Sequence, residues 1–316
     1  MARQQWQKTF RYPADIRRCR SQLRVGSQSF FAASMILPKP VRDPASALYA
    51  FCREADDAID EFQNEDPSPA LDALYARLKC IYADHPQPIA ADRALAEVVK
   101  QFSIPYTLPA ALIEGFEWDV DERRYETMSE LYGYAARVAG TVGVMMAMLM
   151  GARAADVLAR ACDLGVAMQL TNICRDVGED ARNGRVYLPL DLLREAGVDV
   201  PQFLANPVFT PAIGAVVAQV LDTAENLYQR AGSGIDRLPA GCRPGIESAR
   251  RIYSEIGTVI RENGLDSVSQ RAVVSRNRKI GLLGKSIASV ARRSRRDTSP
   301  PLAEVAFLVD AAASAR

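Results

Sequence analysis

The segment MQLTNICRDVGED at 168–180 constrains this chain most. Asn172, Asp176 and Asp180 are spaced four and four. At 3.6 residues per turn they share one helix face. Leu170, Ile173, Cys174 and Val177 fall elsewhere on the helix, and Val166 and Met168 extend the apolar pattern upstream. Carboxylates on an otherwise apolar helix need partners, because a buried unpaired charge is costly.

A second stripe lies in READDAIDE at 53–61. Asp56 and Asp60 are four apart, about 6 Å along a helix axis, and repel each other. A hard divalent cation relieves that repulsion. Mg²⁺ takes oxygen ligands, keeps several waters and shares substrate phosphates, and Mn²⁺ is an acceptable substitute. Alone, this stripe also reads as a solvated acidic helix end. Together the two stripes point to a helical bundle that grips a diphosphate between metal ions. Arg53 and Arg175 sit beside the stripes. Each reads either as an intrahelical salt bridge (with Asp57 and Glu179) or as a fixed cation for the diphosphate.

Most of the chain has helical patterning. Helices are expected at about 43–61, 69–82, 89–102, 108–120, 128–151, 154–180, 189–196, 209–231, 243–263, 271–293 and 302–313. No linker or repeat divides them, so one all-α domain spans 1–316, with a core at about 15–295 and a tail at 297–316. The tail is expected to be dispensable for the chemistry.

In VAGTVGVMM at 138–146, Gly140 and Gly143 each cost a helix about 1 kcal/mol. They fit a place where another helix, or a long apolar ligand, approaches the backbone. The methionines at 145, 146, 148 and 150 suit a pliable cavity wall or an ordinary core.

Several classes drop out. The single histidine, His85, sits in a loop-like ADHP setting and excludes a multi-histidine metal site within one chain. Six cysteines without a CxxC pair read as reduced thiols. A net charge of +1 argues against nucleic acid as a partner. Gly284-Lys285-Ser286 lacks the upstream glycine of a P-loop, since position 279 is lysine. No secretory signal or membrane span is expected, which implies a cytoplasmic protein. The run 271–296 carries nine Lys/Arg and no Asp/Glu. It reads as a solvated helix face or as a peripheral attachment to an anionic membrane.

The chain resembles the squalene/phytoene synthase family from about Cys19 to Leu283. The motifs are GSQSFFAASMILP at 26–38, LYAFCREADDAIDE at 48–61, VAGTVG at 138–143, QLTNICRDVGEDARNGRVYLP at 169–189, RIYSEIG at 251–257 and QRAVVSRNRK at 270–279. The resemblance implies an isoprenoid-synthase helical bundle around a central apolar cavity. It implies metal ligation by Asp56, Asp60, Asn172, Asp176 and Asp180, with Asp57 in support. Ser29, Phe30, Tyr49, Arg53, Val142, Gly143, Arg175, Tyr187, Tyr253 and Arg271 would contact the prenyl diphosphate substrates. Tyr134 and Gln169 would lie near the reacting carbons. It further implies a head-to-head prenyl transferase of carotenoid biosynthesis that joins two C20 diphosphates without NADPH. A family branch that joins two C15 diphosphates and a non-catalytic assembly factor of the same fold are the alternatives.

Overall fold

The structure is a computed structural model that describes residues 10–26, 28–60, 68–289 and 297–315; of Gln28, Ser29, Asp60 and Ser289 it describes the backbone alone. Among the described residues every regular element is a helix, as the patterning predicts. In order these are α1 (Pro13–Gly26), α2 (Gln28–Ser34), α3 (Lys39–Asp60), α4 (Ser68–Tyr82), α5 (Ala90–Gln101), α6 (Thr107–Val120) and α7 (Met128–Ala135). A π turn at Ala136–Gly140 joins α7 to α8 (Thr141–Leu149). Then come α9 (Ala155–Arg182), α10 (Leu190–Glu195), α11 (Val200–Ala205), α12 (Pro211–Ile235), α13 (Arg243–Glu262) and α14 (Arg276–Ser289). A 3₁₀ turn at Ala303–Val305 leads into α15 (Ala306–Ser314).

Local chemistry accounts for the boundaries. Thr127 caps α7 by accepting the Glu130 N–H, and the Glu130 carboxylate accepts the Glu126 N–H. Thr210 caps α12 in the same way, with Pro211 in the first turn. Helix α3 starts earlier than Asp43 because Lys39-Pro40 supplies the proline-led start, and Pro44 is carried inside. Helix α14 starts at Arg276 rather than 271, since 271–275 runs as irregular backbone.

Helix α9 is the spine, packing against α8, α12 and α13. It meets the preceding helix backbone to backbone. A Cβ on Gly165 would collide with the Ala139 carbonyl group, and one on Gly143 with the carbonyl oxygen of Ala161. Gly143 of the VAGTVG helix therefore answers to a helix neighbour, and it also borders the cavity. The tail is packed as well. Val305, Leu308, Val309 and Ala312 are buried, and the Arg137 guanidinium lies over the rings of Trp118 and Phe307 at 4.1 and 5.4 Å.

His85 is exposed on its loop, and Gly284-Lys285-Ser286 lies within α14. All six cysteines are free thiols. Among the described residues no helix is long and apolar enough to cross a membrane.

Candidate functional site

A cavity of about 300 Å³ runs along α9. One face of α9 lines it from Val157 to Asn172, a span of about 22 Å at 1.5 Å per residue. Leu48, Tyr49 and Cys52 of α3 and Tyr253 of α13 form further wall, and Phe30 of α2 joins them. From the glycine-containing helix come Val142, Gly143, Met146 and Met150. Met145 and Met148 are fully buried away from the cavity, in the core.

The two acidic stripes emerge at one end of this cavity. Cys52 and Asn172 are the last lining residues of α3 and α9. Asp56 and Asp176 follow each by one helical turn, and Asp180 by one turn more. Gln169 lines the wall one turn before Asn172. Tyr49 and Phe30 stack with centroids 5.8 Å apart. The side chains of Asp60 and Ser29 lie outside the described residues.

All three arginines expected at the diphosphate lie against these carboxylates. Arg53 pairs with Asp57 at 2.5 Å and Asp56 at 3.3 Å. Arg175 donates to both oxygens of Asp176, at 2.8 and 2.5 Å, rather than pairing with Glu179. Arg271 donates to Asp176 at 2.7 Å and lies 3.4 Å from Glu179. Arg53 and Arg271 are about half exposed, so these pairs contribute little and exchange readily for a bound anion.

Four features of the site bear on whether a divalent ion fits. The buried Oδ1 of Asn172 has no hydrogen-bond partner among the described residues. Burial, then the charges of Asp176 and Glu179, push the Asp180 carboxyl up to about 7, a penalty that a neighbouring cation removes. Burial also raises Asp176, but hydrogen bonds from Arg175 and Arg271 outweigh it and hold this carboxyl below its ordinary value. Among the described residues no three His, Cys, Asp or Glu form a ready-made metal cage. An ion held by one or two carboxylates and completed by substrate phosphate and water needs none. The donor set is all oxygen and fits Mg²⁺.

Sequence reasoning missed Asp119. Its carboxylate accepts the Tyr134 hydroxyl at 2.9 Å and the Tyr187 hydroxyl at 2.7 Å. The two rings stack on each other and on Tyr125, with centroids 5.2 to 6.3 Å apart. Burial and Asp119 raise both phenols far above ordinary tyrosine, so they stay protonated donors. Tyr134 stands one turn before the lining residue Val138, which places the cluster at the acidic end. The only sequence signal was an acidic residue closing an apolar helix, which reads equally as a solvated terminus. Asp119→Asn is expected to cut turnover about a hundredfold by letting the tyrosines drift, with helical circular dichroism unchanged. Wild-type turnover in the folded variant would leave the cluster a purely structural role.

The chain matches the squalene/phytoene synthase family over residues 23–278. It is 49% identical over 306 residues to a phytoene synthase of Rhodobacter capsulatus, covering 95% of this chain and 90% of that one. It is 46% identical to a 15-cis-phytoene synthase of a Paracoccus species, covering 84% and 89%. Its fold superimposes on a dehydrosqualene synthase with a TM-score of 0.80 at 32% identity, over 88% and 97% of the two chains. For a squalene synthase of Alicyclobacillus acidocaldarius the TM-score is 0.73 at 25% identity, over 79% and 94%. The chain belongs to the squalene/phytoene synthase family.

Proposed function

We propose that this protein is a phytoene synthase, a prenyltransferase of carotenoid biosynthesis. We take the overall reaction as two geranylgeranyl diphosphates joined head to head through prephytoene diphosphate, giving phytoene, two diphosphates and two protons, one lost in each of the two steps. The observation that carries this reading is the apolar cavity, about 22 Å long by helix rise, that ends at two carboxylate stripes and their arginines. It matches a substrate with a long hydrocarbon tail and a polyanionic head. The 49% identity to proteins named phytoene synthase supports the C20 substrate over the C15 one.

Asp56, Asp60, Asn172, Asp176 and Asp180 would hold the metal, with Asp57 beside them. Bound Mg²⁺ would supply Lewis-acid charge to the departing diphosphate. Arg53, Arg175 and Arg271 bind and orient the diphosphate oxygens. The walls from Val142 to Met150 and the face of α9 exclude water that would quench an allylic cation. Tyr49, Tyr253 and Phe30 offer ring faces toward that cation at the acidic end. Gln169, which lines the cavity near that end, and Tyr134, held by Asp119 one turn before the lining residue Val138, would position the reacting double bond. The overall reaction is redox-neutral, so no NADPH is required. Product identification from C20 and C15 diphosphates tests the reading.

The basic segment adds a membrane contact to this proposal. In α14 Ile280 and Ile287 are 57% and 59% exposed and seven residues apart, two turns along one face. Arg276, Lys279 and Lys285 lie among them, while 290–296 fall outside the described residues. Arg278 is engaged inward, on Glu255 and on Glu262 at 2.6 Å. The protein is expected to sediment with anionic phosphatidylglycerol vesicles, and Ile280→Asp with Ile287→Asp to release it. Equal recovery with neutral vesicles would contradict the contact.

A further inference from the structure

At the end of the cavity away from the carboxylate stripes, an ionic cluster takes no part in the chemistry above. Arg160 lines the cavity yet is only 4% exposed. It lies about 18 Å along α9 from Asn172 at 1.5 Å per residue. Its Nε is 2.8 Å from Asp163, and its Nη1 donates to Asp297 at 2.7 Å. Arg230 of α12 donates to the same Asp163 at 3.1 Å, and Asp163 is fully buried. Arg230 and Arg160 both donate to the Pro300 carbonyl, at 2.8 and 3.5 Å. The segment 297–300 is thus laced to the far end of the cavity. Gly234 on α12 clears the way for the Arg160 stem, since a Cβ there would collide with Arg160 Cβ.

We propose that Arg160 is a specificity-determining residue: held by Asp163 and Asp297 in the wall near the far end of the apolar cavity, it limits the length of prenyl chain the site accepts. The proposal rests on the prenyl diphosphate reading above. Apolar walls yield to an added isoprene unit, and Met146 and Met150 are adaptable. The clamped guanidinium does not yield. A longer tail would have to strip it from two carboxylates and leave buried charges unpaired. The limit is therefore set by charge as well as by volume.

The test removes both charges of the central pair together, so that neither Arg160 nor Asp163 is left as a lone buried ion, while Arg230 keeps the Pro300 carbonyl and Asp297 the Ser299 N–H. The double variant Arg160→Leu/Asp163→Leu is assayed with C20 and C25 prenyl diphosphates. The ratio of kcat/KM for C25 over C20 is expected to rise at least about tenfold over that of the unaltered protein, with C20 still converted. An unchanged ratio in the folded variant overturns the proposal, as does loss of all turnover. Failure of the unaltered protein to convert C20 would instead overturn the reading beneath it. Should the double variant not fold, Arg160→Gln, which keeps an amide toward Asp297 but removes the charge, is judged by the same ratio.

Discussion

Asp176→Asn is expected to abolish turnover while leaving the protein folded. The residue is half of what both arginines hold, since Arg175 and Arg271 each donate to its carboxylate. Asparagine keeps the shape and one acceptor but removes the charge. A metal in this position supplies several kcal/mol of charge stabilisation, and about 4 kcal/mol is about a thousandfold in rate. The stability cost is smaller, about 1–2 kcal/mol for weakened charge-assisted hydrogen bonds. It also carries a sign in pH. The folded carboxyl titrates below its ordinary value, so its stabilisation is present above that value and lost as pH falls through the folded pKa. Hydrocarbon formation together with circular dichroism checks the prediction. Near-normal turnover in a folded variant would remove the metal assignment.

Gly165→Ala is expected to be among the most damaging single methyl groups. Its Cβ would stand 2.7 Å from the Ala139 carbonyl carbon and 2.9 Å from the Gly140 nitrogen, closer still to the Ala139 oxygen. Those are backbone atoms and cannot rotate away. Helix α9 must then move off the π turn that carries Val138 and Ala139 into the cavity wall. Overpacking of this kind costs about 1–3 kcal/mol, and turnover should fall with it because α9 also carries Asn172 and Asp176. Gly281 in α14 is the control. Nothing lies within 4 Å of a Cβ there, so Gly281→Ala should be neutral or slightly stabilising. Thermal unfolding of the two variants separates the cases; equal midpoints would contradict the crossing.

The features legible in the sequence are those with a short period. The four-and-four spacing of Asn172, Asp176 and Asp180 announced a helix with one polar stripe, and the fold delivers it as the spine. Other features needed long-range partners. Gly143 left two neighbours open because sequence cannot say which element crosses a gap; the crossing helix is α9. Helix α1 was not expected, although Ile16, Cys19 and Leu23 follow helical spacing and are buried. Its buried Asp15 draws on Arg93, 78 residues away, at 2.8 Å. The Arg160–Asp297 pair spans 137 residues and leaves no periodic trace. The same holds for the carboxylate of Asp119, which gathers tyrosines from two separate segments. The packing of the tail, where Leu308 is buried and lies toward Gly140, likewise depends on a partner far away in the chain.

The central claim is an apolar tube for C20 chains closed by a metal-binding carboxylate end. Its most direct test is the hydrocarbon formed from geranylgeranyl or farnesyl diphosphate with Mg²⁺, with and without NADPH, identified by mass. The account predicts a C40 product from the C20 substrate, indifferent to NADPH and lost on chelation of the metal. A C30 product alone would keep the site residues but contradict the C20 assignment. No product from either substrate would contradict the enzymatic reading and leave the assembly-factor alternative.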